Sequence, residues 1–290
     1  MEEFCRNTAS PALGMLNSGM QILWLKKHKP GLFAKVKTIL HFPQYLSFLV
    51  CREIRSECTS IGCHTAMWNF DHQRYHPWLA DAGIVLPSPV ANDFTSGITL
   101  EGKSFLCGTG IHDSSSSLVP YLESSPDPFI LVSTGTWCIF MNPFNKEPLT
   151  LDQLRHDGLC YLSTNREQVK SSRFFMGHFH NVYVRQITDF FNRDEESYKQ
   201  IRGDEAMVNK LLREPACFVG DSSALEDCSP ADLSVFASFE EAYHKLIVDL
   251  TLAGMKSLRL VIPRDDVTKR VYITGGFARN ELFMRLLASL

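Results

Sequence analysis

Two apolar strands, each running into a glycine turn, constrain this chain more than any other feature. Phe129-Ile130-Leu131-Val132 leads into Ser133-Thr134-Gly135-Thr136. Val271-Tyr272-Ile273-Thr274 leads into Gly275-Gly276-Phe277-Ala278-Arg279-Asn280, and this second turn opens a helix. Short apolar runs bounded by turn residues read as buried strands. A strand that feeds a helix through a tight turn is the connection of an α/β fold. Glycine carries no Cβ, so backbone amides at such a turn can approach a phosphate closely. Upstream of both turns sits Gly110-Ile111-His112-Asp113, an acid at the mouth of a helix.

Composition narrows what surrounds these turns. The chain has 290 residues, room for one large domain or two ordinary ones. An apolar share of 44% is that of a globular protein with a sizeable core. Net charge is −3 with acids and bases interspersed, so no basic stripe supports nucleic-acid binding. No stretch of about 18 apolar residues exists to span a membrane. The nine cysteines form no Cys-x-x-Cys pair and no Cys/His metal frame; Cys63-His64 is adjacent, with Cys58 badly spaced to join it. They read as reduced thiols of a cytoplasmic protein, with no metal ligands among them.

Along the chain, residues 18–40 read as a helix interrupted at Lys29-Pro30. Ser18 is the expected cap, Met20, Leu23 and Trp24 share a face, and Pro43 ends the segment. Residues 45–50 are an apolar run too short to assign. Residues 51–80 read as loop and small sheet, residues 96–103 as turn-rich, and residues 105–110 as a short strand. Residues 114–122 read as a helix. Glu123-Ser124-Ser125-Pro126-Asp127-Pro128 is the clearest linker, so a domain boundary is expected there. Residues 176–192 read as helix and residues 215–230 as loop. Ser238 and Glu241 form a capping box ahead of a long helix whose face carries Phe239, Ala242, Tyr243, Leu246, Ile247 and Leu250. Trp24, Trp68, Trp78 and Trp137 are assigned to the core. Met1 and Leu290 both read as cuts through a larger fold.

Each candidate residue has an ordinary reading beside the functional one. Ser133-Thr134-Gly135-Thr136 fits a plain hairpin turn as well as a phosphate cradle, and frequency favours the hairpin. Gly275-Gly276 fits a βα connection needing positive φ. It lacks the Gly-x-Gly-x-x-Gly spacing of a dinucleotide site, and Asn280, about a turn into the helix, could face a ligand. Asp113 is a favoured N-cap type, and frequency again favours that role. It could instead take a proton from an attacking hydroxyl. His112 could orient a substrate hydroxyl or bond the backbone. Taken together, one carboxylate and two amide-rich turns suit phosphoryl transfer from a nucleotide to an alcohol, in which the protein mainly positions groups.

In this order the segments resemble the FGGY family of carbohydrate kinases. Asn17 to Lys26 looks like that family's helix within its first domain. His41-Phe42-Pro43-Gln44-Tyr45-Leu46 resembles its proline-tyrosine-leucine segment, and Glu57-Cys58-Thr59 its Glu-x-Thr stretch. Gly110 to Asp113 looks like the Gly-x-x-Asp motif of the catalytic base. Ser133, Thr134, Gly135 and Thr136 resemble the second phosphate motif, and Gly275, Gly276 and Asn280 the adenosine motif.

The resemblance implies an actin-like ATPase fold of two ribonuclease H-like α/β domains. Residues 1–122 would be the later part of a sugar-binding domain, residues 123–128 a linker, and residues 129–290 an ATP-binding domain. Asp113 would be the base, with His112 beside it on the sugar, ATP as phosphoryl donor and magnesium bridging its phosphates. A small sugar is the implied partner, with a second copy of the chain as a further one. His-Asp followed by hydroxyl residues, and Ser-Thr-Gly-Thr-Trp, look most like rhamnulokinase-like and fuculokinase-like members, acting on a deoxyketose. The chain departs from the family in having no Asp-x-Gly-Thr phosphate loop. A non-catalytic nucleotide- or protein-binding relative is therefore the second hypothesis. A glycosidase would need a paired acid and nucleophile, and no such pair stands out.

Overall fold

A computed structural model describes residues 1–219 and 228–290, so part of the loop expected over residues 215–230 lies outside the described residues. The main elements in chain order are α1 (Ser18–His28), α2 (Phe42–Cys51), β1 (Thr95–Leu100), β2 (Lys103–Gly108), α3 (Asp113–Ser124), β3 (Phe129–Thr134), β4 (Cys138–Asn142), β5 (Gly158–Leu162) and β6 (Gln168–Phe174). They continue with α4 (Met176–Phe190), α5 (Glu205–Leu211), α6 (Phe239–Arg259), β7 (Arg270–Gly275) and α7 (Glu281–Ser289). Two compact units share them: Met1–Pro128 with Asn142–Ser171, and Phe129–Met141 with Ser172–Leu290. Among the described residues, no helix is long and apolar enough to cross a membrane.

The first unit is built from short pieces. Its strands pair mainly in twos, as in the antiparallel hairpin of β1 and β2, where Thr95 stands opposite Gly108. Its core includes two small clusters among the described residues, one around Ile61, Trp68, Cys160 and Leu162, the other around Met67, Leu79 and Ile84. Several local expectations are corrected here. The first helix stops at His28, and after Lys29 only one turn, Pro30–Phe33, is helical, because proline supplies no N–H to continue the ladder. Asn17, not Ser18, holds the cap position, without a side-chain bond. Pro43 opens α2 instead of closing a helix, since its missing N–H costs nothing in a first turn. Trp24 is 42% exposed, so it is not core. Residues 96–103 belong largely to the hairpin.

The second unit is organised around one large core. β7 runs parallel to β3, with Arg270 opposite Phe129 and Gly275 opposite Thr134. β4 runs antiparallel on the other side of β3, with Val132 opposite Phe140. β3 is apolar and buried from Phe129 to Val132, as a central strand requires. α4 and α6 pack together, and Phe179, Tyr183, Ile187, Tyr243, Leu246, Ile247 and Leu250 join Ile130, Val132 and Phe140 in the core. α6 starts where expected. Ser238 Oγ accepts from Glu241 N at 3.1 Å, but the Glu241 carboxylate accepts from Ala237 N and meets Lys210, so only half of the box closes.

Candidate functional site

In the second unit the two glycine turns emerge side by side, because the register of β3 and β7 sets Thr134 opposite Gly275. The Thr134 hydroxyl links them. It donates to the Thr274 carbonyl at 2.5 Å and accepts from Phe277 N at 3.1 Å. Gly275 has φ +89, and a Cβ there would lie 1.7 Å from the Thr134 carbonyl oxygen. Only glycine fits so close an approach. Helix α4 begins against the first turn: Gly177 N donates to the Thr136 carbonyl at 3.1 Å, and a Cβ on Gly177 would sit 2.2 Å from the Gly135 oxygen. The Gly135 N–H already donates to the Trp137 carbonyl at 2.9 Å. The amides facing outward are thus fewer than the tetrapeptide suggests.

Both turns border a cavity of about 990 Å³. Gly135 and Thr136 of the first turn and Gly276, Phe277 and Asn280 of the second line it. The second turn is a short 3₁₀ segment, Gly276–Arg279, before α7. Asn280 therefore caps α7 and is not a turn inside it. Its Oδ1 accepts from Phe283 N at 3.0 Å and its Nδ2 donates to Tyr243 Oη at 2.9 Å. His180 Nε2 lies 3.3 Å from the same hydroxyl. Burial drives the His180 imidazole down to about 4 and raises the Tyr243 phenol, the latter partly offset by the Asn280 hydrogen bond. The wall is thus held by neutral groups. Gly177, His180, Asn181, Tyr198 and Arg202 also line the cavity and were not singled out from sequence. They come from a helix N-terminus and a loop, where no motif marks them.

In the first unit Asp113 is the first residue of α3, with His112 at the cap position, so the acid does not cap the helix as the ordinary reading expects. Its side chain is 94% exposed. Asp113 Oδ1 accepts from Ser114 N at 2.7 Å and lies 3.1 Å from His112 Nε2. The backbone before it is anchored from below. His112 N donates to Thr59 Oγ1 at 2.9 Å, and the Thr59 hydroxyl donates to buried Glu57. The Glu57 carboxylate also accepts from Thr59 N at 2.9 Å; its pKa is raised by burial against these bonds, which lower it. The Glu-x-Thr segment thus serves as a mount for His112. Cys63 meets His112 Nε2 at 3.3 Å, a partner that the adjacent Cys63-His64 pair does not suggest. Burial pushes the Cys63 thiol up to about 12. Among the described residues, no group of three or more His, Cys, Asp or Glu could hold a metal ion.

The family model for the carbohydrate kinase FGGY C-terminal domain matches residues 126–290. Among solved structures, a carbohydrate kinase from Novosphingobium aromaticivorans is similar at 25% identity and a TM-score of 0.77, over 98% of this chain and 63% of that one. A ligand-bound xylulose kinase from Lactobacillus acidophilus is similar at 14% identity and 0.72, over 99% and 60%. Plasmodium falciparum glycerol kinase with ADP is similar at 12% identity and 0.68, over 99% and 60%. The last two likenesses show the fold alone. This chain spans about three fifths of the length of these proteins. A search of the curated proteins finds no match. The fold is the α/β, actin-like ATPase type that the sequence resemblance implies.

Proposed function

We propose that this chain, which belongs to the FGGY family of carbohydrate kinases, transfers a phosphoryl group from ATP to a hydroxyl of a small sugar. The observation that carries this reading is the cavity of about 990 Å³ bordered by both glycine turns. Its polar wall and its volume suit a nucleotide. Bound there, ATP would supply the phosphoryl group. Ser133, Thr134, Gly135 and Thr136 form the phosphate side of the site in this reading, with Thr134 acting through the backbone it braces. Gly275 and Gly276 let the chain pass close to the nucleoside, and Asn280 offers its remaining amide hydrogen. Asp113 accepts the proton of the attacking hydroxyl, and its exposure leaves it open to substrate. His112 orients that hydroxyl. Magnesium would neutralise phosphate charge there, for which one or two carboxylates beside the nucleotide suffice.

The finer assignments follow the sequence. Residues 1–122 serve the sugar, residues 123–128 link, and residues 129–290 serve ATP. The Asp113-Ser114-Ser115-Ser116-Ser117 run favours a deoxyketose such as L-rhamnulose or L-fuculose. A cytoplasmic setting and a homodimer complete the reading. The test has two parts. Saturating ATP with Mg²⁺ should raise the melting temperature, by about 2.7 kcal/mol of stability at a hundredfold excess over Kd, and Gly276→Leu should abolish that shift. Asp113→Asn should keep the shift and lose most sugar phosphorylation. Absence of any nucleotide shift overturns the reading. A shift without turnover in the unaltered chain favours a non-catalytic relative.

A further inference from the structure

His112 sits between three polar neighbours, and their hydrogen bonds dictate where its proton must be. Ser115 is fully buried on α3. Its hydroxyl lies 2.8 Å from the Leu162 carbonyl and 3.3 Å from His112 Nδ1. A carbonyl only accepts, so the single Ser115 proton points at Leu162 through the shorter contact. Ser115 Oγ then has only lone pairs left for the ring, and Nδ1 must carry a hydrogen. The other ring nitrogen, Nε2, faces the Cys63 thiol at 3.3 Å. That thiol is a donor, and burial keeps it protonated. A neutral ring with hydrogen on Nδ1 satisfies both neighbours. The reverse tautomer leaves Nδ1 and Ser115 Oγ as two acceptors facing each other.

Asp113 completes the set. Its Oδ1 is 3.1 Å from the same Nε2. Against a neutral ring of this tautomer, that contact opposes a carboxylate to a lone pair. Against a protonated ring, Nε2 donates and the contact becomes an ion pair. Cys63, Asp113 and Tyr161 are the titratable groups facing the ring, from the loop after Cys58–Ile61, from α3 and from β5.

We propose that Ser115 and Cys63 are positioning residues that hold neutral His112 as its Nδ1–H tautomer, so that Asp113 pairs with the ring only when the ring is protonated. The exposed carboxylate is then released toward an incoming hydroxyl as His112 loses its proton. The tautomer stands on the geometry of this unit. Its bearing on catalysis rests on Asp113 being the base.

The test is long-range ¹H–¹⁵N NMR of the labelled chain across the His112 titration, with the signals assigned by His112→Gln. Above the midpoint the unaltered chain should show a pyrrole-type Nδ1 and a pyridine-type Nε2. Ser115→Ala should convert this into a tautomer mixture, and Cys63→Ala should do so more weakly. Asp113→Asn should lower the midpoint, because the ion pair is gone. A neutral ring with its proton on Nε2 in the unaltered chain overturns the proposal whatever the variants do. So does an unchanged tautomer in both Ser115→Ala and Cys63→Ala. No nucleotide or sugar is present, so a failed kinase reading leaves this measurement intact, and the converse holds as well.

Discussion

Gly275 and Gly276 are neighbours with opposite demands. Gly275 sits at φ +89 against the Thr134 carbonyl, whereas a Cβ on Gly276 would meet nothing within 4 Å. Gly275→Ala should therefore cost on the order of 4 kcal/mol or more, and Gly276→Ala should stay within about 0.5 kcal/mol of the parent. Urea denaturation of the two variants checks the contrast; equal losses would contradict it. His180 makes a second case at this scale. Burial lowers its folded pKa from the ordinary 6.5 to about 4, so between those values the unfolded chain binds the extra proton. The stability held by the neutral ring is complete above about pH 6.5 and falls as the pH drops toward 4, by about 3 kcal/mol. His180→Gln should flatten the stability profile over that window. The doublet of glycines was visible in the sequence. Which of the two bears the strain was not, because it depends on Thr134, far away along the chain.

Among the elements, α6 shows how a helix can be read and still withhold its main polar feature. The spacing of Phe239, Tyr243, Leu246, Ile247 and Leu250 revealed its apolar face. Lys245 and Asp249 are fully buried on the same helix, and their charged atoms lie 3.0 Å apart. Lys245 Nζ also donates to the Leu211 and Glu214 carbonyls at 3.1 Å. Asp249 Oδ1 meets the ammonium as a charge contact rather than a directed hydrogen bond, while Oδ2 accepts from Cys217 N and Phe218 N. The pair ties the segment after α5 to α6. Lys245→Met should cost about 3–5 kcal/mol, since it strands a buried carboxylate. Adding Asp249→Leu should recover only part of this in thermal unfolding, because two backbone amides then lose their acceptor. Two charges in one helical turn look like a solvated pair in sequence. Here the loop that covers them came from outside the helical pattern.

For the whole molecule, the two units differ in how their cores are made. The first rests on small clusters and mainly two-stranded pairings, and the second on one extensive core around β3, α4 and α6. Hydrogen exchange should therefore find its slowest amides in the second unit. Saturating nucleotide should slow exchange further at the cavity wall, around residues 135–136, 177–181 and 276–280, and leave the β1–β2 hairpin unchanged. Uniform protection across both units would contradict the cavity assignment. The sequence by itself determined the α/β class, the strands at residues 129–132 and 270–274, the long helix α6 and the glycine turns, because each is a local pattern of apolar spacing and turn chemistry. Tertiary structure alone decided that Thr134 staples those turns together, that Gly177 abuts the first of them, and that His112 answers to Cys63 and Thr59. Such contacts join residues tens of positions apart or more, and strand register and helix packing, which no short window of residues encodes, bring them into range.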